Sequence, residues 1–317
     1  VYAPYDNPGS VKRFLKKTRP TIAIFVETEL WPNYLYYCKR EGIPTILFNA
    51  RLSDRSAKRY LKVKRMASNM LSLLTKVIAQ TDLDAKNFKA IGGLASQICV
   101  AGSVKFDLTV SEETIQKGLA LREALGINRP VWVAASTHDG EEKQILLAHQ
   151  KVLKTFPSAL LILVPRHPNR FTQVASLCKE TGFELAIRSL AEVCSPETQI
   201  YLGDTMGEML LFYTACDVAF VGGSFVSIGG HNMLEPAALK KPILSGPCVV
   251  NFLVISEMLI KAGGMKISEN SASLADDVTQ LFQQTEKAKT MGENAFTVID
   301  NNRGALDRQF EVIASFL

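Results

Sequence analysis

The stretch Val131-Trp132-Val133-Ala134-Ala135-Ser136-Thr137-His138-Asp139-Gly140-Glu141 decides the fold. Its opening residues are apolar without polar alternation, the mark of a strand covered on both faces, as in the parallel sheets of α/β proteins. The hydroxyls and glycine that follow, ahead of a helical pattern over 140–156, place a strand-to-helix junction at the carboxyl edge of that sheet. The same grammar recurs on either side. Strands are expected over 21–26, 45–48, 77–79 and 98–101, and after 131–135 over 160–164, 199–202, 218–221 and 242–244, with helical patterns between them. Two such series mean two α/β domains. Residues 108–129 hold a polar helical pattern and no strand, and end at Gly126-Ile127-Asn128-Arg129-Pro130. A linker over 108–129 is therefore expected between a first domain over 1–107 and a second over 130–317, whose broken final helix is free to cross back to the first. The first series is two or three strands short of a doubly wound sheet and enters through a loop holding Pro4, Pro8 and Gly9. That domain reads as incomplete, and the chain, opening at Val1 without Met, as the remainder of a longer protein.

With 317 residues, 47% of them hydrophobic and 21% charged, two cores can be buried and disorder is excluded. No apolar run approaches the ~20 residues of a membrane span, so a soluble chain is expected. The six cysteines include no C-x-x-C pair, which excludes a disulfide framework or zinc ribbon and favours a reducing compartment. The net charge of +5 is uneven: residues 1–65 hold 14 Lys and Arg against 5 Asp and Glu, a net of +9 that leaves −4 for the rest. An anionic partner for that end follows, whether phospholipid, phosphorylated glycolipid or nucleic acid. Arg55, Lys58, Arg59, Lys62 and Arg65 share one face of a helix expected over 56–74. That face is either solvated or rests on anionic headgroups.

Candidate chemistry gathers where strands run into helices. Ser136-Thr137-His138-Asp139-Gly140-Glu141 suits an anion at a helix start, and ordinary N-capping explains it equally well. Thr205-Met206-Gly207-Glu208 has the spacing of a capping box, yet lies at the edge where open α/β sheets bind ligands. Gly222-Gly223-Ser224 and Gly229-Gly230-His231-Asn232 place glycines where backbone can approach a ligand, and Glu235 can accept hydrogen bonds from a ribose. Arg166, between Pro165 and His167-Pro168, would aim a guanidinium from a strand end. Glu27 and Glu29 close the first strand, and Lys105 lies just past the last strand of that series. Asp82-Leu83-Asp84 has the D-x-D form but opens a helix, so capping explains it. The four histidines are scattered, so no metal site is expected.

In order along the chain, Glu27-Thr28-Glu29-Leu30-Trp31-Pro32-Asn33, Asn49-Ala50-Arg51-Leu52-Ser53, Ser136-Thr137-His138, Pro165-Arg166-His167-Pro168, Gly203-Asp204-Thr205-Met206-Gly207-Glu208 and Gly229-Gly230-His231-Asn232 with Glu235-Pro236 closely resemble the 3-deoxy-D-manno-octulosonic acid (Kdo) transferases. The resemblance implies a GT-B fold of two Rossmann-like domains and transfer of Kdo from CMP-Kdo to the lipid A precursor (lipid IVA) in lipopolysaccharide biosynthesis. It implies an inverting mechanism without metal or other cofactor, at the cytoplasmic face of the bacterial inner membrane, with that anionic surface as a partner and no nucleic acid. It puts CMP on Pro165, Arg166, Met206, Gly207, Glu208, Asn232, Met233, Leu234 and Glu235, with Ser136, Thr137, Gly230 and His231 as further candidates. It makes Glu27 and Lys105 transition-state stabilisers. The family's catalytic Glu, in a G-E-x-x-A-type segment, has no counterpart in these 317 residues, so the chain alone is expected to be inactive. The alternatives are another GT-B nucleotide-sugar enzyme, a transferase or an epimerase, and a non-enzymatic membrane-surface or nucleic-acid-binding protein.

Overall fold

The structure, a computed structural model, describes residues 2–317, and Val1 lies outside the described residues. The chain forms two compact units, one from the segment ending at Asp107 together with Asn302–Leu317, the other from Leu108–Asn301. The first is built on a parallel sheet of β1 (Ala23–Val26), β2 (Thr45–Ala50), β3 (Lys76–Ala79) and β4 (Ile98–Val100), paired in that order. Its inner strands are apolar on both faces because helices cover both. Leu47, Leu71, Leu74 and Phe88 form one core layer, while Ile46 and Ile78 meet Ile313 on the other face. β1 is an edge strand whose Ile24 and Val26 are about half exposed.

The final helix, Ala305–Ala314, is tied to this unit by polar contacts as well. Buried Gln309 accepts from the Asn49 backbone N–H at 2.8 Å and donates to the Gly102 carbonyl at 2.7 Å. The Asp107 carboxylate accepts from the backbone N–H groups of Gly304 and Leu306. The basic helix expected over 56–74 is broken into Asp54–Leu61 and Lys64–Leu71, with Val63 at φ −125° and ψ 39°. Arg55, Lys58 and Arg59 therefore share a helix that excludes Lys62 and Arg65, and the break leaves Leu61, Val63 and Met66 exposed among the basic residues.

The second unit holds seven parallel strands: β5 (Val131–Thr137), β6 (Leu160–Pro165), β7 (Leu185–Ile187), β8 (Ile200–Leu202), β9 (Val218–Val221), β10 (Ile243–Ser245) and β11 (Met265–Ile267). Their order is β11-β10-β9-β5-β6-β8-β7. β7 and β11, absent from the sequence reading, are three-residue edge strands too short to show a period. β5 and β6 are buried along nearly their whole length. Residues 112–125, in the stretch read as a connection, form a helix capped by Ser111, and its Leu121 and Leu125 join Phe212 and Tyr213 in this unit's core. From β5 the chain moves to β6 on one side, and later returns to β9 on the other. The carboxyl ends of β5 and β9 thus flank the point where the winding reverses, the place where open α/β sheets bind ligands. All six cysteines are unpaired thiols. Among the described residues no helix is long and apolar enough to cross a membrane.

Candidate functional site

The end of β5 is irregular. Its register with β6 shifts between Ala135 and Thr137, and Ser136 adopts a left-handed conformation at φ 55°, which a serine holds only when its surroundings impose it. Thr137 is buried and donates its hydroxyl to Glu142 at 2.9 Å. Glu142 is in turn gripped by Arg170 at 2.5 and 3.1 Å. Glu141, fully buried at the start of helix Glu141–Thr155, accepts four backbone hydrogen bonds. Those from His138 (2.9 Å) and Gly223 (2.7 Å) reach Oε2, and those from Ser224 (2.9 Å) and Phe225 (2.8 Å) reach Oε1. One carboxylate therefore clamps the loop after β5 to the loop after β9.

This changes the reading of Gly222-Gly223-Ser224. The N–H groups of Gly223 and Ser224 are taken by Glu141 and that of Gly222 by the Ala135 carbonyl, so none is left for a ligand. The glycines are required by close packing: a Cβ on Gly222 would lie 2.9 Å from the Ala135 oxygen, and one on Gly223, at φ 69°, would lie 2.8 Å from the His231 ring.

Around the β5, β6 and β9 ends opens a pocket of about 300 Å³, at the small end of ligand sites. Ser136, Pro165, Arg166, Thr205, Met206, Gly207, His231, Asn232 and Glu235 line it, joined by Tyr213 and Phe252, which the sequence did not single out. The Arg166 backbone is fixed by its N–H to the Thr137 carbonyl at 2.9 Å, and its exposed guanidinium has no ion-pair partner among the described residues. Glu235 sits in the first turn of helix Leu234–Ala238 and accepts from Asn232 Nδ2 at 3.0 Å, while Asn232 Oδ1 accepts from the Leu234 N–H at 3.1 Å. Burial pushes the Glu235 carboxyl above the usual carboxylate range, opposed by the Asn232 hydrogen bond and the nearby charge of Arg166.

Five of the nucleotide-site candidates lie outside the lining. Thr137, Met233 and Leu234 have buried side chains, and Gly230, at φ 76°, donates its N–H to the Gly223 carbonyl at 2.8 Å. Glu208 is held by Arg188 through two hydrogen bonds, from Nε at 3.0 Å and from Nη2 at 2.8 Å, and it accepts from the Thr205 hydroxyl. The Arg188 fork holds the Glu208 carboxyl below its ordinary range. No signal in the sequence pointed to Arg188.

Three of the four histidines, far apart in sequence, meet here. His138 Nε2 lies 2.7 Å from His231 Nε2, and the His167 ring is 5.2 Å from that of His138. Burial, then the neighbouring His138, Arg166 and His167, lowers the His231 pKa to about 4. His149 is instead a core residue, accepting from Trp132 Nε1 at 3.1 Å and facing the Gln199 carbonyl at 2.9 Å. Among the described residues no group of three or more His, Cys, Asp or Glu side chains is arranged to hold a metal ion.

In the first unit, Glu27 follows β1 at φ 58° and pairs with Lys105 Nζ at 2.8 Å, each side chain about one-third exposed. Lys105 projects from the single turn Val104–Phe106. Asp84 is structural: it accepts from the Leu52 N–H at 2.8 Å, in a helix capped by Thr81.

Two α/β units, each built on a parallel sheet and one carrying a polar pocket at its reversal point, define the GT-B fold. HepE of Anabaena in complex with UDP shares the fold with a TM-score of 0.59 at 15% identity, over 97% of this chain and 81% of that one. A glycosyltransferase from Rickettsia africae does so with a TM-score of 0.58 at 16% identity, over 100% and 83%. Closer relations narrow the class. The family described as 3-deoxy-D-manno-octulosonic-acid transferase (kdotransferase) matches residues 1–108. The 3-deoxy-D-manno-octulosonic acid transferases of Haemophilus influenzae and Bordetella pertussis are 39% and 34% identical to the chain, all of which aligns with 74% of each. The C-terminal CMP-Kdo binding domain of WaaA from Acinetobacter baumannii is 34% identical with a TM-score of 0.57, over 60% of this chain and 99% of that domain. The chain belongs to the 3-deoxy-D-manno-octulosonic acid transferase family and is a glycosyltransferase.

Proposed function

We propose that the protein transfers Kdo from CMP-Kdo to the lipid A precursor, and that the pocket at the ends of β5, β6 and β9 holds the donor's CMP. The observation that carries this reading is the convergence of unpaired Arg166 with Asn232 and Glu235 in one small polar pocket, in a unit 34% identical to a CMP-Kdo binding domain. Arg166 supplies a fixed positive charge for the phosphate. Glu235 takes the ribose hydroxyls, and Met206 and Gly207 close the nucleotide from the β8 side. Glu208, fixed by Arg188, holds the turn that presents them.

The proposed chemistry is an inverting displacement. An acceptor hydroxyl attacks the anomeric carbon, a general base takes its proton, and the glycosidic C–O bond to CMP breaks with both electrons leaving on the phosphate. Charge grows on the departing phosphate, so preorganised donors such as Arg166 stabilise the transition state more than the ground state. The paired Lys105 and Glu27 serve as the other stabilisers, and the left-handed backbone at Glu27 is the strain expected of a residue held for function.

The acceptor side of the reading is a lipid at the inner-membrane surface, supported by the +9 of residues 1–65 and by the exposed Leu61, Val63 and Met66 around the junction of two basic helices. Basic residues near an anionic surface contribute about 1 kcal/mol each, and adjacent apolar side chains add contact with the acyl boundary.

Calorimetry with CMP, UMP and UDP tests the reading. CMP is expected to bind most tightly, and Glu235→Ala to cost about 1–3 kcal/mol through a lost charged hydrogen bond. Tighter binding of UDP than CMP would favour a different GT-B enzyme, and unchanged CMP affinity in folded Glu235→Ala would remove the assigned ribose contact.

A further inference from the structure

The contact between His138 and His231 has a specific geometry. Their ring planes differ by 5°, their centroids lie 5.0 Å apart, and their Nε2 atoms are 2.7 Å apart. Rings stacked face to face could not bring two edge nitrogens that close with centroids that far apart. The imidazoles lie end to end in nearly one plane, and the contact is a linear N–H···N hydrogen bond. One ring donates and the other accepts, so a single proton serves both Nε2 atoms. The ring that donates the bridge in the uncharged pair has an unprotonated Nδ1. One further proton can enter there, leaving the bridge intact and creating a new N–H donor. A second would strip the accepting ring of its lone pair and break the bridge, so the pair carries at most one positive charge.

The groups around the pair leave room for an anion. His231 lines the pocket, with Arg166 and His167 as its cationic or cationisable neighbours, and His138 faces His167 and Arg170. The carboxylates facing His138 are already engaged: Glu141 by four backbone N–H groups, Glu142 by Thr137 and Arg170. Asp139 is likewise paired with Arg170. Glu235, the remaining carboxylate of the pocket, is bonded to Asn232. Desolvation and this positive surrounding keep both rings uncharged near neutral pH, with His231 lowered to about 4 and His138 lowered as well, against the pull of Glu141 and Glu142. An arriving phosphate would reverse that balance by supplying the missing negative charge.

We propose that His138 and His231 act as a one-proton relay for the donor's phosphate, the pair taking up a single proton from solvent as the anion enters, so that nucleotide binding is coupled to proton uptake. The inference rests on the CMP reading of the pocket. It adds His138 to the binding machinery through its partner, and it predicts that the site binds its anionic ligand more tightly as pH falls. It also accounts for the clamp by Glu141 and for Gly223, which together set the two loops at the spacing the bridge needs.

The test is calorimetry with the methyl ester of CMP, a phosphodiester like the donor whose charge does not titrate near neutrality, in buffers of different ionisation enthalpy from about pH 5 to about pH 8. The wild-type chain is expected to take up most of one proton per ligand toward about pH 5 and progressively less toward neutrality, since an adjacent opposite charge raises a cation's pKa by about 1–3 units, while cytidine, lacking the anion, takes up none. His231→Gln and His138→Gln should each abolish the uptake and flatten the pH dependence of affinity. Proton NMR of the imidazole signals should show one histidine of the pair gaining charge on saturation, which reads the coupling in the unmutated protein. Binding of the ester without proton uptake overturns the relay and leaves the CMP reading standing. No binding of ester or CMP at any pH overturns both.

Discussion

Glu141→Gln keeps the shape of the clamp and removes its charge. Glutamine can still accept at one oxygen, so two of the four backbone N–H groups keep a partner, while the other two face an NH2 group. At about 1.5–3 kcal/mol for each charge-assisted hydrogen bond, the loss is about 3–6 kcal/mol, and the site is fully buried, so water cannot replace the missing acceptor. Against a typical domain stability of about 5–15 kcal/mol this is a large fraction. Urea unfolding followed by Trp132 fluorescence in a Trp31→Phe background isolates the second unit, since Trp132 is fully buried there. With a urea slope of about 1–3 kcal/mol/M, the midpoint should fall by about 1 M or more. Exposed Glu113, which pairs with Lys117, provides the control, and Glu113→Gln should leave the urea midpoint essentially unchanged. A Glu141→Gln shift below about 1 kcal/mol would refute the claim that this carboxylate holds the two loops together.

Three further outcomes follow from the same structure. Breaking the fork with Arg188→Ala releases Glu208 and the Thr205–Gly207 turn, and CMP affinity should drop about 10-fold by calorimetry; Arg188→Lys, which cannot make two parallel bonds, should restore little of it. The folded-state pKa of His149 is depressed to about 4, so the unfolded chain, titrating near 6.5, takes up its proton first. The second unit should be fully stable above about pH 6.5 and lose about 3 kcal/mol from this group as pH falls through about 4, a loss absent in His149→Gln when urea midpoints are followed with pH. Sedimentation with anionic vesicles should fall with added salt and when Lys58, Arg59 and Lys62 are changed to Glu; equal sedimentation of the triple variant would exclude the broken basic helix as the docking surface.

The central strands were legible because burial on both faces removes polar alternation, so 131–135 and 160–164 could only be inner parallel strands. Edge strands such as Leu185–Ile187 carry too few residues for that signal. That Arg166 lines the pocket was legible because a guanidinium between prolines at a strand end has few purely structural uses, and Asn232 and Glu235 stood out by following the paired glycines Gly229 and Gly230 at a helix start. Glu141 was not, since an acidic residue at a helix start is ordinary capping chemistry; only the fold shows that its acceptors reach the loop after β9, 82 to 84 residues away. The His138–His231 bridge spans 93 residues and the Arg188–Glu208 fork 20, distances at which no local spacing rule operates. The basic run over 55–65 showed its charge, while the break at Val63, which decides which side chains share a face, emerged only with the backbone.

The most direct measurement is a crystal structure of the chain with CMP. The nucleotide is expected in the pocket at the β5, β6 and β9 ends, its phosphate within hydrogen-bond reach of Arg166 and His231, roughly 3 Å, and its ribose hydroxyls on Glu235. CMP bound elsewhere on the second unit, or seated with its phosphate away from Arg166 and its ribose off Glu235, would contradict that assignment.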